Sequence, residues 1–290
     1  MLRLFRLIAL LGACPLASAA RGETPIPIVA AENFYGDVAG QIGGASVSVR
    51  SILSNPDQDP HLFEASPSVA RSLAGARIVV YNGADYDPWM AKLLASSGGR
   101  DRAVIVVADL VGKQPGDNPH LWYEPTTMPA FAKALAGTLS EADPAHAADY
   151  QARLRTFAGS LQPLAAKIDA LRRQLTGAPV TATEPVFGYM LAALGLVDRN
   201  AAFQLAVMNG TEPSAASVAA FEHDLRSRQV RFLVYNSQAT DPLASRMEGI
   251  AKQSHVPVVA VTETEPPGST YQEWMLRELE AVDRAVNGIR

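Results

Sequence analysis

The stretch that decides the fold is DPAHAADYQARLRTFAGSLQPLAAKIDALRRQLTG, which covers residues 143–177. It is rich in Ala, Leu, Gln and Arg, begins with Asp143-Pro144, a good helix start, and ends with Thr176-Gly177, a good helix stop. A helix of this length would span on the order of 50 Å, which is longer than one domain of this size. The sequence therefore predicts one long helix that joins two domains and kinks at Pro163.

Short apolar runs lie on both sides of this linker, and most lack the polar alternation of a half-exposed sheet. Such runs are typical of strands buried on both faces of a parallel sheet, and helical patterns separate them. We therefore predict an α/β fold with two lobes, 20–142 and 178–290, each a parallel-type sheet flanked by helices. The binding site is expected in the cleft between the lobes. The apolar runs cover residues 26–31, 47–53, 77–83, 103–109, 180–183, 230–236 and 258–263.

The composition excludes several classes of protein. A chain with 48% hydrophobic and 19% charged residues is too apolar to be disordered. With 25 basic and 29 acidic residues, the net charge of −4 argues against a nucleic-acid binder, which would carry a basic surplus. The single cysteine excludes a disulfide framework within the chain and a zinc site built from clustered thiolates.

Residues 1–19 have the pattern of an export signal. Arg3 and Arg6 precede an apolar run, and Ala17-Ser18-Ala19 forms a small-x-small cleavage site. The run is shorter than the roughly 20 residues of a membrane-spanning helix, so we expect an exported, periplasmic protein without a stable membrane span. As an alternative, Leu11-Gly12-Ala13-Cys14 resembles a lipoprotein cleavage box, and Cys14 would then carry a lipid anchor.

Two histidines occur in the same local pattern. His61 lies in Asp59-Pro60-His61-Leu62-Phe63, and His120 lies in Asn118-Pro119-His120-Leu121-Trp122. The proline before each histidine restricts the backbone, so both loops can hold an imidazole still. One Pro-His pair alone is more typical of a turn with a solvent-exposed histidine. The repetition, after two strands of one sheet, favours a site that needs two oriented nitrogen ligands for a transition metal.

Taken in order, the motifs of the chain resemble those of the zinc- and manganese-binding solute-binding proteins of bacterial ABC importers. This family includes the streptococcal metal-binding lipoprotein adhesins, and the resemblance extends over essentially the whole mature chain. It implies two lobes joined by one long helix, with the metal in the cleft. The motifs that carry it are Glu32-Asn33-Phe34-Tyr35-Gly36-Asp37, Asp59-Pro60-His61, Asn82-Gly83-Ala84-Asp85-Tyr86-Asp87-Pro88-Trp89 and Asn118-Pro119-His120-Leu121-Trp122.

The resemblance implies four protein ligands for one divalent cation, two from each lobe. His61 and His120 match the pair from the first lobe, and Glu184 matches the third ligand. A carboxylate at the position of Glu184 would also favour the positive end of the following helix. The family usually has an aspartate as the fourth ligand, whereas this chain has Glu263 there; Glu265 or a water molecule are the alternatives.

The ligand set leaves the cation open between zinc and manganese, with iron as a further alternative. Two imidazoles and two carboxylates suit four-coordinate zinc, and they also suit manganese, which favours carboxylates. A carboxylate as third ligand resembles the manganese-type members of the family. We also expect Trp122 to line the cleft and Asn236 to lie at the same end of the second lobe, within hydrogen-bond reach of the ligands.

By this resemblance the protein is not an enzyme but a monomeric binding component that captures Zn²⁺ or Mn²⁺ and delivers it to an ABC permease with its ATPase. Two alternatives remain. A His/His/Glu site with an open position would also suit a secreted metal-dependent hydrolase, although the chain has no His-Glu-x-x-His helix. A surface adhesin is the second alternative, and it depends on lipidation of Cys14.

Overall fold

The computed structural model describes residues 24–55, 63, 66–98, 101–239 and 241–288. These residues form two four-stranded parallel sheets with helices packed around them. The α/β class and the division into two sheets, expected from the apolar runs, are confirmed. The export signal, Cys14 and His61 lie outside the described residues.

The first sheet has the strand order β2-β1-β3-β4, and all neighbouring strands are parallel. The central strands of this sheet, β1 and β3, are almost entirely apolar, as expected for strands with helices packed on both faces. The chain reverses its direction of winding between β1 and β3, which creates a crevice at their carboxyl ends. The strands are β1 Ile26–Glu32, β2 Val47–Leu53, β3 Ile78–Tyr81 and β4 Ala103–Val106, and the helices are α1 Asn33–Gly43, α2 Pro67–Ala74, α3 Pro88–Ser96, α4 Val107–Leu110 and α5 Thr127–Ala142.

The second sheet repeats this arrangement in the order β6-β5-β7-β8, with a crevice between β5 and β7. Strand β6 was not predicted, because all three of its residues are exposed and two of them are charged. The strands are β5 Pro179–Ala182, β6 Val197–Arg199, β7 Leu233–Asn236 and β8 Val258–Val261. The helices of this lobe are α8 Gly188–Ala193, α9 Ala201–Met208, α10 Ala215–Arg226, α11 Pro242–Gln253 and α12 Tyr271–Asn287.

The linker differs in detail from the predicted kinked helix. After a 3₁₀ turn at Pro144–His146 it forms two consecutive helices, α6 Ala147–Ser160 and α7 Gln162–Leu175. Pro163 lies in the first turn of α7, where a backbone N–H would have no hydrogen-bond partner within the helix. Its missing N–H therefore costs α7 no hydrogen bond, and a new helix begins at this position. Helix α6 contacts α1 and α5 of the first lobe, whereas α7 contacts α12 of the second lobe.

The two lobes share one hydrophobic core. Phe34 and Trp122 of the first lobe pack with Trp274 of the second, and the ring centroids of Phe34 and Trp274 lie 5.8 Å apart. Polar contacts also join the lobes, because the Tyr271 N–H donates to Asp37 Oδ2 over 2.9 Å. Relative motion of the lobes would break this packing, so we expect it to be small.

None of the helices among the described residues is both long enough and apolar enough to cross a bilayer.

Candidate metal-binding site

Three polar side chains of the second lobe meet at the carboxyl end of its sheet. Glu184 lies two residues after β5, Asn236 ends β7, and Glu263 lies two residues after β8. Because the strands are parallel, their carboxyl ends share one edge, and Glu184 and Asn236 flank the crevice where the winding reverses. All three residues are at least 95% buried. The fold therefore places two carboxylates and an amide together in a site shielded from water.

His120 reaches this edge from the first lobe. It follows the loop after α4 and precedes a 3₁₀ turn over Leu121–Tyr123. The loop is tied to the end of β3, since Asn82 Nδ2 donates to the Pro119 carbonyl over 2.8 Å. His120 is completely buried, and its Nε2 lies 3.5 Å from Glu263 Oε2 of the opposite lobe.

Asn118 determines which nitrogen of His120 faces the second lobe. Its Oδ1 lies 2.6 Å from His120 Nδ1, and its Nδ2 donates to the Pro185 carbonyl over 2.6 Å. Because Oδ1 can only accept, Nδ1 carries the imidazole proton and the lone pair of neutral His120 is on Nε2, toward Glu263. A side-chain oxygen that fixes the tautomer in this way is typical of metal-binding histidines. The Pro185 bond also joins this loop to the turn that carries Glu184.

Tyr86 contributes a second contact across the lobes. It lies in the loop between β3 and α3, and its hydroxyl donates to Glu263 Oε2 over 3.0 Å. Burial raises the pKa of the Tyr86 hydroxyl well above its usual value, and the Glu263 carboxylate raises it further. The hydroxyl therefore stays protonated and can donate this hydrogen bond throughout the physiological range.

Asn236 lies between the two carboxylates. Its Nδ2 donates to Glu263 Oε1 over 2.7 Å and to Glu184 Oε2 over 3.2 Å. The backbone N–H of Glu263 donates to Gln238 Oε1 over 2.6 Å, which holds the main chain of the segment after β8. Side chains at the end of β7 therefore position both carboxylates.

Trp122 forms the apolar wall behind the histidine. It is completely buried, its ring is edge-on to His120 at 5.3 Å, and its ring centroid lies 4.9 Å from that of Tyr86. Among the described residues, the indole forms no hydrogen bond with Glu184 or Glu263. It packs instead on the rings of His120 and Tyr86, which lie next to Glu263. Such packing excludes water and lowers the local dielectric constant.

Glu265 has a different environment from Glu263. Its backbone pairs with the Asn33 side chain, through a 3.0 Å bond from its N–H and a 2.7 Å bond to its carbonyl. Burial raises the pKa of its carboxyl to about 9, and Asp37 adds a smaller effect in the same direction. These contacts place Glu265 against helix α1, whereas Glu263 faces His120.

The other described histidines are remote from this edge. His146 pairs with Asp143 at 2.7 Å at the start of the linker, His223 lies on the exposed side of α10, and His255 occupies a turn with φ of 57°. The structure does not describe His61. Within the described ranges, no group of three His, Cys, Asp or Glu side chains is positioned so that it could hold a metal ion.

Asn118 lies in the Pro-His motif, and its position two residues before the histidine is the only local sign of its role. Tyr86 has no local sign of a role, because its contact with Glu263 spans 177 residues of sequence. Such contacts depend on how the two lobes pack, which local patterns do not contain.

Comparison with known proteins identifies relatives over the length of the chain. A sequence model of the family described as the periplasmic component A of the zinc-uptake complex matches residues 28–285. A metal ABC transporter substrate-binding lipoprotein, SloC of Streptococcus mutans, is 24% identical over 97% of this chain and 96% of its own. The manganese ABC transporter lipoprotein PsaA of Streptococcus mitis is 22% identical over 96% and 95%.

A solved structure shows the same fold. The periplasmic zinc-binding protein TroA of Treponema pallidum superimposes with a TM-score of 0.76 at 17% identity, covering 91% of this chain and 99% of its own. The names of these similar proteins include both zinc and manganese.

Proposed function

The chain belongs to the family of periplasmic zinc-uptake components, the metal-binding subunits of ABC importers for zinc or manganese, and on this premise we propose that His120, Glu184 and Glu263 bind the transported cation together with His61. The cation is the cargo of the protein. One imidazole and two carboxylates come from the described residues, and we propose His61, which lies outside them, as the second imidazole. This assignment keeps two ligands on each lobe.

The observation that carries the proposal is the distance across the cleft. His120 Nε2 and Glu263 Oε2 are 3.5 Å apart, and both side chains are completely buried. Two ligand atoms that each lie about 2.0–2.1 Å from a tetrahedral zinc ion are separated by about 3.4 Å. The pair is therefore spaced as two ligands of one small cation would be. The tautomer fixed by Asn118 directs the nitrogen lone pair to this position.

The charges of the site suit a divalent cation. The two carboxylates balance its charge, and the imidazoles are neutral ligands, so the loaded site carries little net charge. Burial of Glu184 and Glu263 next to each other is unfavourable without a cation or a strong donor. Metal binding requires deprotonated ligands, so affinity falls at low pH.

Delivery follows from the packing of the lobes. Because they share one core, closure on the cation is small, and release requires a partner that favours a more open arrangement. The family implies that this partner is the ABC permease with its ATPase. We propose that the protein acts as a monomer, since one chain supplies all four ligands.

We propose that the site binds and does not catalyse. Four protein ligands complete a tetrahedral sphere, whereas a zinc hydrolase keeps a position for a reactive water. Cobalt-substituted protein distinguishes the two: the proposal expects a four-coordinate spectrum that added anions leave unchanged. A spectrum that shifts with anions would indicate an open position and favour the hydrolase.

The chain is exported, as a periplasmic or surface component, in keeping with its family. We propose that cleavage after Ala19 releases a soluble mature protein, with lipidation of Cys14 as the alternative that an adhesin would need. The intact mass of the exported protein distinguishes them, because a lipidated form begins at Cys14 and carries acyl chains.

Calorimetric titration of the metal-stripped mature protein tests the ligand assignment. His61→Ala and His120→Ala should each weaken zinc binding more than the roughly 10–100-fold that is typical for the loss of an outer-shell partner. His223→Ala is the matched control, since His223 lies on the exposed side of α10. Equal affinity in the three variants would refute the assignment.

A further inference from the structure

The segment after β8, residues 262–265, carries Glu263 but belongs to no helix or strand. Buried backbone N–H groups need partners, and a segment without a helix or a strand must find them elsewhere. All four N–H groups of this segment donate to side chains, which therefore determine where its backbone lies. The bonds run from Thr262 to Glu278 Oε1 (3.2 Å), from Glu263 and Thr264 to Gln238 Oε1 (2.6 and 3.0 Å) and from Glu265 to Asn33 Oδ1 (3.0 Å).

Two side chains of the first lobe hold the carbonyl groups on either side of Glu263. The Tyr123 hydroxyl donates to the carbonyl of Thr262 over 2.7 Å. Asn33 Nδ2 donates to the carbonyl of Glu265, also over 2.7 Å. The first lobe thus holds the backbone of the second lobe one residue before the proposed ligand and two residues after it.

The amide of Asn33 pairs with Glu265 as the peptide group of a neighbouring strand would. It accepts from the N–H of Glu265 and donates to its carbonyl. A flipped amide would bring two donors together and two acceptors together, so both bonds determine its orientation. Asn33 begins α1 directly after β1, which places it at the crevice of the first sheet. The crevice of one lobe therefore positions a segment of the other.

Separation of the lobes would break these contacts. The carbonyls of Thr262 and Glu265 would lose their donors, and the segment would keep only the bonds that it makes within the second lobe. Glu263 Oε2 now lies 3.5 Å from His120 Nε2. A shift of the Glu263 backbone would carry the carboxylate away from this position.

We infer that Asn33 and Tyr123 are positioning residues of the first lobe, which hold the backbone around Glu263 for cation binding and let it move when the lobes separate. The inference rests on the proposed function, and within it only on the assignment of Glu263 as a ligand. A partner that opens the cleft then lowers affinity in two ways. It moves the ligands of opposite lobes apart, and it loosens the segment that carries one of them.

Zinc titrations of the metal-stripped mature protein, in competition with a chromophoric chelator, test this inference. Asn33→Ala and Tyr123→Phe each remove a first-lobe partner of the segment. Each should weaken zinc binding by about tenfold, the lower end of the range for outer-shell partners.

Gln41→Ala is the matched control. Gln41 lies on the same helix as Asn33 and also makes two hydrogen bonds across the lobes, over 3.0 and 2.8 Å, but its partner is the side chain of Gln272. Zinc affinity should stay near the wild-type value in this variant. An equal loss in Gln41→Ala and Asn33→Ala would mean that closure of the lobes alone sets the affinity, and it would overturn the inference.

Glu263→Gln separates the inference from the proposed function. If this variant loses affinity while Asn33→Ala and Tyr123→Phe bind zinc as the wild type does, the inference fails and the ligand assignment stands. If Glu263→Gln itself binds zinc like the wild type, the assignment of Glu263 fails, and the inference fails with it.

Hydrogen exchange of the metal-free protein tests the same contacts without a cation. Asn33→Ala should speed the exchange of the backbone amides of residues 262–265 several-fold, as expected when a hydrogen bond that holds them is lost. The amides of β8 and α12 should exchange as in the wild type, and Gln41→Ala should leave the segment unchanged. Wild-type exchange of the segment in Asn33→Ala would overturn the inference at any cation affinity.

Discussion

Both lobes carry a pair of buried carboxyl groups near the crevice of their sheet, and the two pairs have different surroundings. In the first lobe the pair is Glu32, which ends β1, and Asp87, in the loop after β3. In the second lobe it is Glu184, after β5, and Glu263, after β8. Because the two sheets have equivalent strand orders, Glu32 and Glu184 follow equivalent strands.

The pair of the first lobe holds a loop. Asp87 accepts the backbone N–H groups of Asn82 and Gly83, over 2.7 and 2.8 Å. Burial raises the pKa of Asp87 to about 6, and it raises that of Glu32 well above its usual value, with the nearby charge of Asp87 as a further cause. Burial therefore favours the neutral form of Glu32. Within this pair, Asp87 binds the backbone of its own loop.

The pair of the second lobe faces a donor and a histidine instead. Asn236 bonds to both carboxylates, and Glu263 faces His120 of the opposite lobe. The comparison shows that buried carboxyl groups at equivalent sheet crevices can have different partners. A histidine from the other lobe faces Glu263 and distinguishes the second pair from the first, and this contact supports the cation site that we propose there.

The strongest test of this difference exchanges one carboxylate for an amide in each lobe. Glu263→Gln removes a proposed charged ligand, so zinc affinity should decrease by more than the roughly 10–100-fold expected for an outer-shell partner. Glu32→Gln replaces a carboxyl group that faces no residue of the proposed site, and burial raises its pKa well above the usual value, so affinity should stay within about threefold. Competition with a chromophoric chelator measures the zinc affinity of both variants. Similar losses in the two variants would show that the first pair also takes part in binding.

The second test concerns the orientation of the ligand from the first lobe. Asn118→Leu removes the acceptor that fixes the His120 tautomer and also the bond to Pro185. Zinc affinity should fall by about 10–100-fold, since outer-shell partners have effects of this size. Asn287→Ala, an exposed amide on α12, is the control for amide removal. Wild-type affinity in Asn118→Leu would mean that the packing of Trp122 alone orients His120.

The smallest expected effect concerns a further buried carboxyl group, that of Glu278, which contacts residues of both lobes. Glu278 Oε1 accepts hydrogen bonds from Tyr123 of the first lobe and from Trp274 Nε1 of its own helix, over 2.9 and 2.8 Å. Burial raises its pKa from 4.5 to about 8. The folded protein therefore binds more protons than the unfolded chain between these values, and stability decreases as pH rises from about 5 to about 8.

Melting temperatures of the metal-free protein from pH 5 to pH 9 measure this contribution. The melting temperature of Glu278→Gln should fall by several degrees less than that of the wild type as the pH rises, because the amide cannot ionise. Glu280→Gln, at an exposed position of the same helix, should follow the wild-type curve. Parallel curves for all three proteins would show that Glu278 remains ionised in the folded state.

Much of the fold could be predicted because it depends on local patterns. Apolar runs identified seven of the eight strands in the part of the chain that the structure describes, since strands buried on both faces need continuous apolar residues. The exposed edge strand β6 was missed for the same reason. The linker was identified from its composition and helix ends, but not its division at Leu161, because nothing local states whether a proline will bend a helix or start a new one.

The sequence by itself determined which residue types are available to the site: a repeated Pro-His motif and single glutamates after predicted strands. The tertiary structure alone decided their partners. His120 meets Glu263 across 143 residues, Tyr86 meets the same carboxylate, and one amide divides its hydrogens between Glu184 and Glu263. These contacts depend on the packing of two lobes around a shared core. Short-range sequence patterns carry no information about which residues meet across the two lobes.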